Sequence, residues 1–218
     1  MTLQFQRGEI QSRMLTSDPN ALVISHTQAM AAFRIFHPMP RYIAMIGLGG
    51  GSLAKWCYQQ LPETDITVIE INAQVIALRE QFYIPRDDAR FRVICGDGAE
   101  YVASISDLPE ALLPEVLLVD GFDQDGQSPQ LYSWAFYRNC HRALTADGLL
   151  VVNLCGPDEQ RALKRIRRYF DDRVLILVPE DGENKIVFAW KGEGIQMDDA
   201  AIKTFLAESV AVSFALGH

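Results

Sequence analysis

The chain is predicted to fold as an α/β protein whose mostly parallel, doubly wound sheet ends in a C-terminal antiparallel hairpin. Three observations predict it. From Tyr42 onward, short β-rich apolar runs alternate with longer stretches of helical period, the pattern of successive βαβ units. A glycine-rich turn, Gly47-Leu48-Gly49-Gly50-Gly51, joins the first apolar run to the first long helical stretch. Towards the C-terminus two strand-like runs flank the turn-rich segment 179–184, as a hairpin requires.

In order along the chain, Leu3 to Gln6 and Glu9 to Leu15 can pair as a small hairpin, and His26 to Phe36 has helical period. Residues 1–40 are too few for an independent domain and are read as a short N-terminal extension or lid. Residues 41–218 are read as one α/β domain. Its parallel strands are predicted at Tyr42 to Ile46, Asp65 to Ile71, Arg90 to Cys95, Glu115 to Asp120 and Gly148 to Leu154. The helices between and after them are predicted at Ser52 to Leu61, Ala73 to Phe82, Ala99 to Ser104, Pro129 to Leu144 and Asp158 to Phe170. Arg173 to Val178 and Lys185 to Trp190 form the hairpin, and Asp198 to Ala211 is a closing helix.

Composition narrows the function classes. With 49% hydrophobic residues in 218, the chain can build a full core. Its net charge of -8 argues against a nucleic-acid partner and suits a small, cationic one. Cys57, Cys95, Cys140 and Cys155 are widely spaced, with no CxxC pair or Cys/His cluster, so no metal site is expected and the thiols are read as reduced. No signal peptide and no apolar run of membrane-spanning length is evident, so a cytoplasmic location without a membrane partner is expected.

In a doubly wound sheet the ligand crevice lies at the carboxyl ends of the strands. Gly47, Gly49, Gly50 and Gly51 follow the first strand, where missing Cβ atoms let backbone N–H groups approach a ligand. Glu70 ends the second strand about twenty residues later, the position of an acid that accepts from ribose hydroxyls. It stands between Ile69 and Ile71, where a charge is costly unless it reaches the crevice or water. Asp97 and Gly98 follow the third strand, and an adenine amine can donate to an acid placed there. Loop and Glu70 alone leave NAD and a sulfonium nucleoside both open. The third glycine of a pyrophosphate-binding GxGxxG is absent, and Asp97 with the terminal hairpin favours S-adenosylmethionine or a relative.

The blocks GLGGGSLAKW, TVIEINAQVI, ICGDGAEYV, LLVDGFDQDG, LYSWAFYRNCHRAL and GLLVVNL together resemble the successive motifs of the spermidine synthase family, the polyamine aminopropyltransferases, over about residues 40 to 190. The resemblance implies a Rossmann-like, S-adenosylmethionine-dependent methyltransferase fold preceded by a β region, shortened here. It also implies a decarboxylated S-adenosylmethionine donor, a small amine acceptor and a homodimer. Glu70 would bind the ribose and Asp97 with Gly98 would border the adenine. Asp120 would match the catalytic aspartate and Asp123 its second acid, while Gln11, in Gly8-Glu9-Ile10-Gln11-Ser12, would touch the donor.

Moving an aminopropyl group from a sulfonium carbon to an amine has a good leaving group, so the enzyme mainly orients the reactants and removes a proton. Asp120 ends the fourth strand and can accept that proton, with Asp123 holding a cationic substrate; Asp125 is read as a solvated loop acid. Tyr132 and Tyr137, five apart on one predicted helix, do not share a face; Tyr132 is the substrate candidate and Tyr137 is core. Ser25-His26-Thr27-Gln28-Ala29 stands where the resemblance implies the family's YHE-like acceptor segment; His26, ahead of an apolar helix, is read as structural, with a polar role in the acceptor pocket as the alternative. Where polyamine-making members carry an aspartate in GGGDG, this chain has Gly50, which keeps open a methyltransferase using ordinary S-adenosylmethionine. A non-catalytic nucleoside-binding homologue is the third reading.

Overall fold

The computed structural model describes residues 1–3, 12–123, 126–179, 182, 184–193 and 212–215. Strands β1 (Thr2–Leu3) and β2 (Ser12–Arg13) pair antiparallel at the N-terminus. Helices α1 (Ser25–Ala31) and α2 (Phe33–Phe36) follow, so the predicted helix from His26 to Phe36 is interrupted at Ala32. Next come β3 (Tyr42–Ile46), α3 (Ser52–Gln60), β4 (Asp65–Glu70), α4 (Ala73–Ala77), β5 (Phe91–Cys95), α5 (Gly98–Ile105) and β6 (Val116–Val119). A two-residue ribbon, β7 (Phe122–Asp123) with β8 (Gly126–Gln127), precedes α6 (Trp134–Arg142). Then follow β9 (Leu149–Leu154), α7 (Glu159–Tyr169), β10 (Val174–Pro179), β11 (Lys185–Trp190) and β12 (Val212–Ala215).

The main sheet has the order β12-β10-β11-β9-β6-β3-β4-β5. Strands β9, β6, β3, β4 and β5 are parallel, and β11, turning back from β10, inserts antiparallel between β10 and β9. The predicted parallel sheet and terminal hairpin are both present. Both faces are covered, which is why the central strands read as unbroken apolar runs. Along β3, Ile43 and Met45 join one core cluster while Ala44 and Ile46 join the other, the two-residue period of a strand. Helices α1 to α4 cover the first face through Met30, Phe33, Leu53, Cys57 and Val75. Helices α5 to α7 cover the second through Val102, Phe136, Tyr137, Cys140, Ala162 and Ile166. Met30 and Phe33 share their cluster with Ile186 and Phe188, so residues 25–36 pack into the main core.

Two predicted helices are shorter than their periodicity suggests. The one beginning at Ala73 ends at Ala77, because the Arg79 guanidinium pairs with Asp87 at 2.7 Å and bonds the Pro85 carbonyl. That folds the chain back through Tyr83, whose φ of 55° lies in the left-handed region. The segment from Pro129 to Leu144 divides into a 3₁₀ turn, Pro129–Tyr132, and α6. Ser133 restarts the helix as its N-cap, accepting from the Phe136 N–H at 3.0 Å. Tyr132 and Tyr137 therefore belong to different elements. The predicted closing helix from Asp198 to Ala211 lies outside the described residues.

Candidate active site

The chain runs from β3 outward through β4 to β5 and then returns to place β6 on the other side of β3. The connections therefore diverge between β3 and β6, and a crevice opens at their carboxyl ends. The glycine loop leaves β3 and Asp120 leaves β6, side by side. The Asp120 N–H donates to the Ile46 carbonyl at 2.8 Å. Gly47, at φ 94°, packs so closely that a Cβ there would collide with the Asp120 carbonyl. Gly49, by contrast, has nothing within 4 Å of where a Cβ would stand, so its α-carbon faces open space.

Glu70 fixes this loop. It is 8% exposed, and its two carboxylate oxygens accept from Leu48 N–H and Asn72 N–H, each at 2.8 Å. One acid thus ties the glycine turn to the entry of α4, where the Asn72 side chain caps the helix through Gln74 N–H at 2.9 Å. Each Glu70 oxygen keeps a second lone pair for a ligand. Asp97 has a structural duty as well: its Oδ1 accepts from Ala99 and Glu100 N–H at 2.7 and 3.0 Å and caps α5. The cap uses Oδ1 alone. A Cβ on Gly98 would strike Ile46, so this glycine serves the packing of α5 against β3.

The third and fourth loop glycines face protein. A Cβ on Gly50 would run into Ser12 Oγ and crowd the Phe82 ring, and one on Gly51 would run into Ile84. Ser12 thus fills the space beside Gly50, into which an acid at that position would otherwise grow. Ser52, which opens α3, is buried, and its hydroxyl has no hydrogen-bond partner among the described residues. Beneath the loop, Lys55 is 1% exposed; its Nζ donates to the Phe82 carbonyl at 2.8 Å and contacts Met14 Sδ at 3.2 Å. Burial lowers its ammonium to about 8.

Asp120 lies between two side chains that sequence reasoning did not assign to the site. Asn153, inside the apolar run of β9 and 2% exposed, donates its Nδ2 to Asp120 Oδ1 at 2.8 Å. The Asn153 carboxamide oxygen is buried with no partner among the described residues, an orphaned acceptor beside the crevice. His26, from α1, brings Nε2 to 3.9 Å from Asp120 Oδ2. Asn153 carries a signal that was readable: like Glu70, it is a polar residue in an apolar strand close to its carboxyl end. The signal for His26 was its place in Ser25-His26-Thr27-Gln28-Ala29, the counterpart of the family's acceptor segment, and its lone position before an apolar helix led to the structural reading instead.

Asp123 lies on the β7 ribbon, three residues beyond Asp120. Gln11 and Asp125 lie outside the described residues. Tyr132 is buried, with its hydroxyl donating to the Cys155 carbonyl at 3.3 Å just past β9, so the phenol borders the crevice with its proton committed. Burial, followed by the charges of Asp158, Cys155 and Glu159, raises its phenol above the ordinary value. Tyr137 is wholly buried, and its hydroxyl finds no partner among the described residues. No disulfide joins the four cysteines; burial pushes the Cys57 and Cys140 thiols far up, so both are inert.

An open hollow beside α7, lined by Trp134, Leu163, Lys164 and Arg168 among others, contains none of these residues. The strand ends are the better candidate because a glycine loop, three acids and two orphaned buried polar atoms converge there. Among the described residues no group of three or more His, Cys, Asp or Glu could hold a metal ion, and no helix is long and apolar enough to cross a membrane.

The profile of the spermine/spermidine synthase domain matches residues 23–198. A polyamine aminopropyltransferase of Neisseria meningitidis is 38% identical over 194 residues, spanning 87% of this chain and 72% of the relative. Human methyltransferase-like protein 13, solved in complex with SAH, superposes with a TM-score of 0.74 at 22% identity, over 86% of this chain and 90% of that one. A spermidine synthase in complex with the transition state analogue AdoDATO superposes with a TM-score of 0.66 at 24% identity, over 84% and 66%. The two structures share the fold, a methyltransferase-type α/β sheet. By its sequence, the chain belongs to the spermine/spermidine synthase family.

Proposed function

We propose that the protein is a cytoplasmic aminopropyltransferase, moving an aminopropyl group from decarboxylated S-adenosylmethionine to a small amine. Residues 41–218 form its catalytic unit and residues 1–40 an extension. The observation that carries this reading is the convergence of Asp120 and the glycine loop at one end of the β3–β6 pair, with the free Asp120 oxygen unclaimed by backbone. Glu70 clamps the loop and offers its spare lone pairs to the ribose, while Asp97 Oδ2 and Gly98 border the base. The open face at Gly49 leaves room for the nucleoside. Gln11 contacts the donor, Asp123 anchors the amine, and Tyr132 walls the amine side.

In the reaction the amine lone pair forms the new C–N bond as the C–S electrons pass to sulfur, leaving a neutral thioether, methylthioadenosine. The nitrogen becomes cationic, and Asp120 stabilises that charge and draws off a proton. Asn153 holds Asp120 in register by occupying its other oxygen.

A second reading keeps the same crevice but takes ordinary S-adenosylmethionine for methyl transfer. It is favoured by Gly50, where Ser12, a neutral group, stands in the space of an acid that would repel the donor's carboxylate. Supplying each donor with 1,4-diaminobutane separates them. Methylthioadenosine accumulating only with the decarboxylated donor and the diamine supports aminopropyl transfer; S-adenosylhomocysteine from the carboxylated donor supports the second reading and refutes the first.

A further inference from the structure

A buried ammonium without a counter-ion is costly, and an apolar side chain of the same length is the more stable choice where packing alone decides. Lys55 breaks that rule beneath the glycine loop. It is 1% exposed, and no carboxylate pairs with it among the described residues. Burial alone moves its ammonium down to about 8, with no neighbouring charge contributing. Ser52, three residues earlier and on the same face of α3, is buried with its hydroxyl unpartnered among the described residues. The underside of the loop is therefore more polar than packing requires.

What Lys55 holds is specific. Its Nζ donates to the Phe82 carbonyl at 2.8 Å and contacts Met14 Sδ at 3.2 Å. Ser12 and Met14 are both buried while Arg13 between them is exposed, so the two share one side of the strand. Ser12 and the Phe82 ring are also the groups that fill the space beside the Gly50 α-carbon. One side chain thus joins α3, the N-terminal strand and the turn after α4 under the loop. We propose that Lys55 is a positioning residue of the donor site: it staples the N-terminal strand and the Phe82 turn against Gly50 and so sets the shape of the loop that receives the nucleoside. The inference rests on the reading of this crevice as a nucleoside-donor site. Lys55 does this at the expense of stability, the pattern of a residue kept for position and not for the fold.

The test uses the full chain with Lys55→Met, which keeps the length and removes the donor, and Met14→Leu, which removes only the sulfur contact. Near neutral pH, calorimetry gives the affinity for methylthioadenosine and thermal unfolding reports on the fold. Lys55→Met should unfold within about 3 °C of wild type or above it, because an unpaired buried charge has gone. It should nevertheless bind methylthioadenosine about 10-fold more weakly. In transfer to 1,4-diaminobutane, KM for decarboxylated S-adenosylmethionine should rise by a similar factor while kcat stays within about 3-fold, a split that a merely structural lysine would not produce. Met14→Leu should weaken methylthioadenosine binding about 3-fold and add nothing further to Lys55→Met, since both act through one staple. Wild-type affinity in either variant overturns the proposal, as do losses that add in the double variant. A Lys55→Met chain that does not fold, or an affinity that falls only in step with Tm, assigns the lysine to stability and overturns it as well. A wild type that binds no methylthioadenosine contradicts the donor-site reading instead.

Discussion

Replacing Glu70 by glutamine separates the loop clamp from the rest of the fold. In the wild type two oxygens of one buried carboxylate accept from Leu48 and Asn72 N–H at 2.8 Å each. A hydrogen bond to a charged group contributes about 1.5–3 kcal/mol, a neutral one about 1, and a buried donor left unpaired costs about 1–3. Glutamine keeps one oxygen and turns an NH2 towards the other N–H. One bond weakens and one is replaced by two opposed donors, a loss of about 2–4 kcal/mol. In a chain of this size each kcal/mol moves Tm by about 2–4 °C, so thermal unfolding should fall by about 5–15 °C. The loop amide is released and, on the proposed reading, half of the acceptors offered to the ribose vanish, so methylthioadenosine should bind at least about 10-fold more weakly, or about 1.4 kcal/mol. Differential scanning calorimetry gives the first figure and isothermal titration the second. A variant with unchanged Tm and unchanged affinity would refute the clamp.

Gly49→Ala and Gly51→Ala should part company although both glycines have positive φ. At Gly49 the side chain meets only open space, so about 1–2 kcal/mol of backbone strain is the whole stability effect, while nucleoside affinity drops; at Gly51 the collision with Ile84 adds about 1–3 kcal/mol, visible in urea unfolding. Asn153→Leu should lower kcat with little change in methylthioadenosine affinity, because it strips Asp120 of its 2.8 Å partner; equal kcat would remove the positioning role. Lys55 gives a pH signature. Its folded value of about 8 lies below the ordinary 10.5, so between those values the unfolded chain binds more protons and this group's contribution to stability rises with pH. Unfolding of wild type and Lys55→Met across pH 7.5–10.5 should diverge in favour of the wild type by about 2–4 kcal/mol. A pH-independent difference would show that Lys55 stays protonated.

The sheet was legible because its strands are covered on both faces, so runs such as Tyr42–Ile46 and Leu149–Leu154 are apolar throughout. Helix ends were less so. Periodicity continues past Ala77, yet the turn is made by Arg79 reaching Pro85 and Asp87, contacts with no period of their own. Ser133 was readable as a cap, and overlooking it placed Tyr132 and Tyr137 on one helix. In the site, the residues that follow strands in sequence, Gly47, Glu70, Asp97 and Asp120, stand where strand ends put them. His26 and Ser12 reach the crevice from the N-terminal segment, and only tertiary packing brings them there. The duties of Glu70 and Asp97 to backbone N–H groups were equally invisible, since an acid at a strand end looks the same whether it holds a loop or a ligand.

The most direct measurement pairs binding with transfer in Asp120→Asn, a substitution that preserves shape and removes charge. Calorimetry with decarboxylated S-adenosylmethionine and a single-turnover assay with 1,4-diaminobutane would be run on this variant and on the wild type. The account predicts donor affinity within about 3-fold of wild type, roughly half a kcal/mol, and a transfer rate lower by about 100-fold or more. Transfer at the wild-type rate, or a nucleoside that binds neither protein, would contradict it.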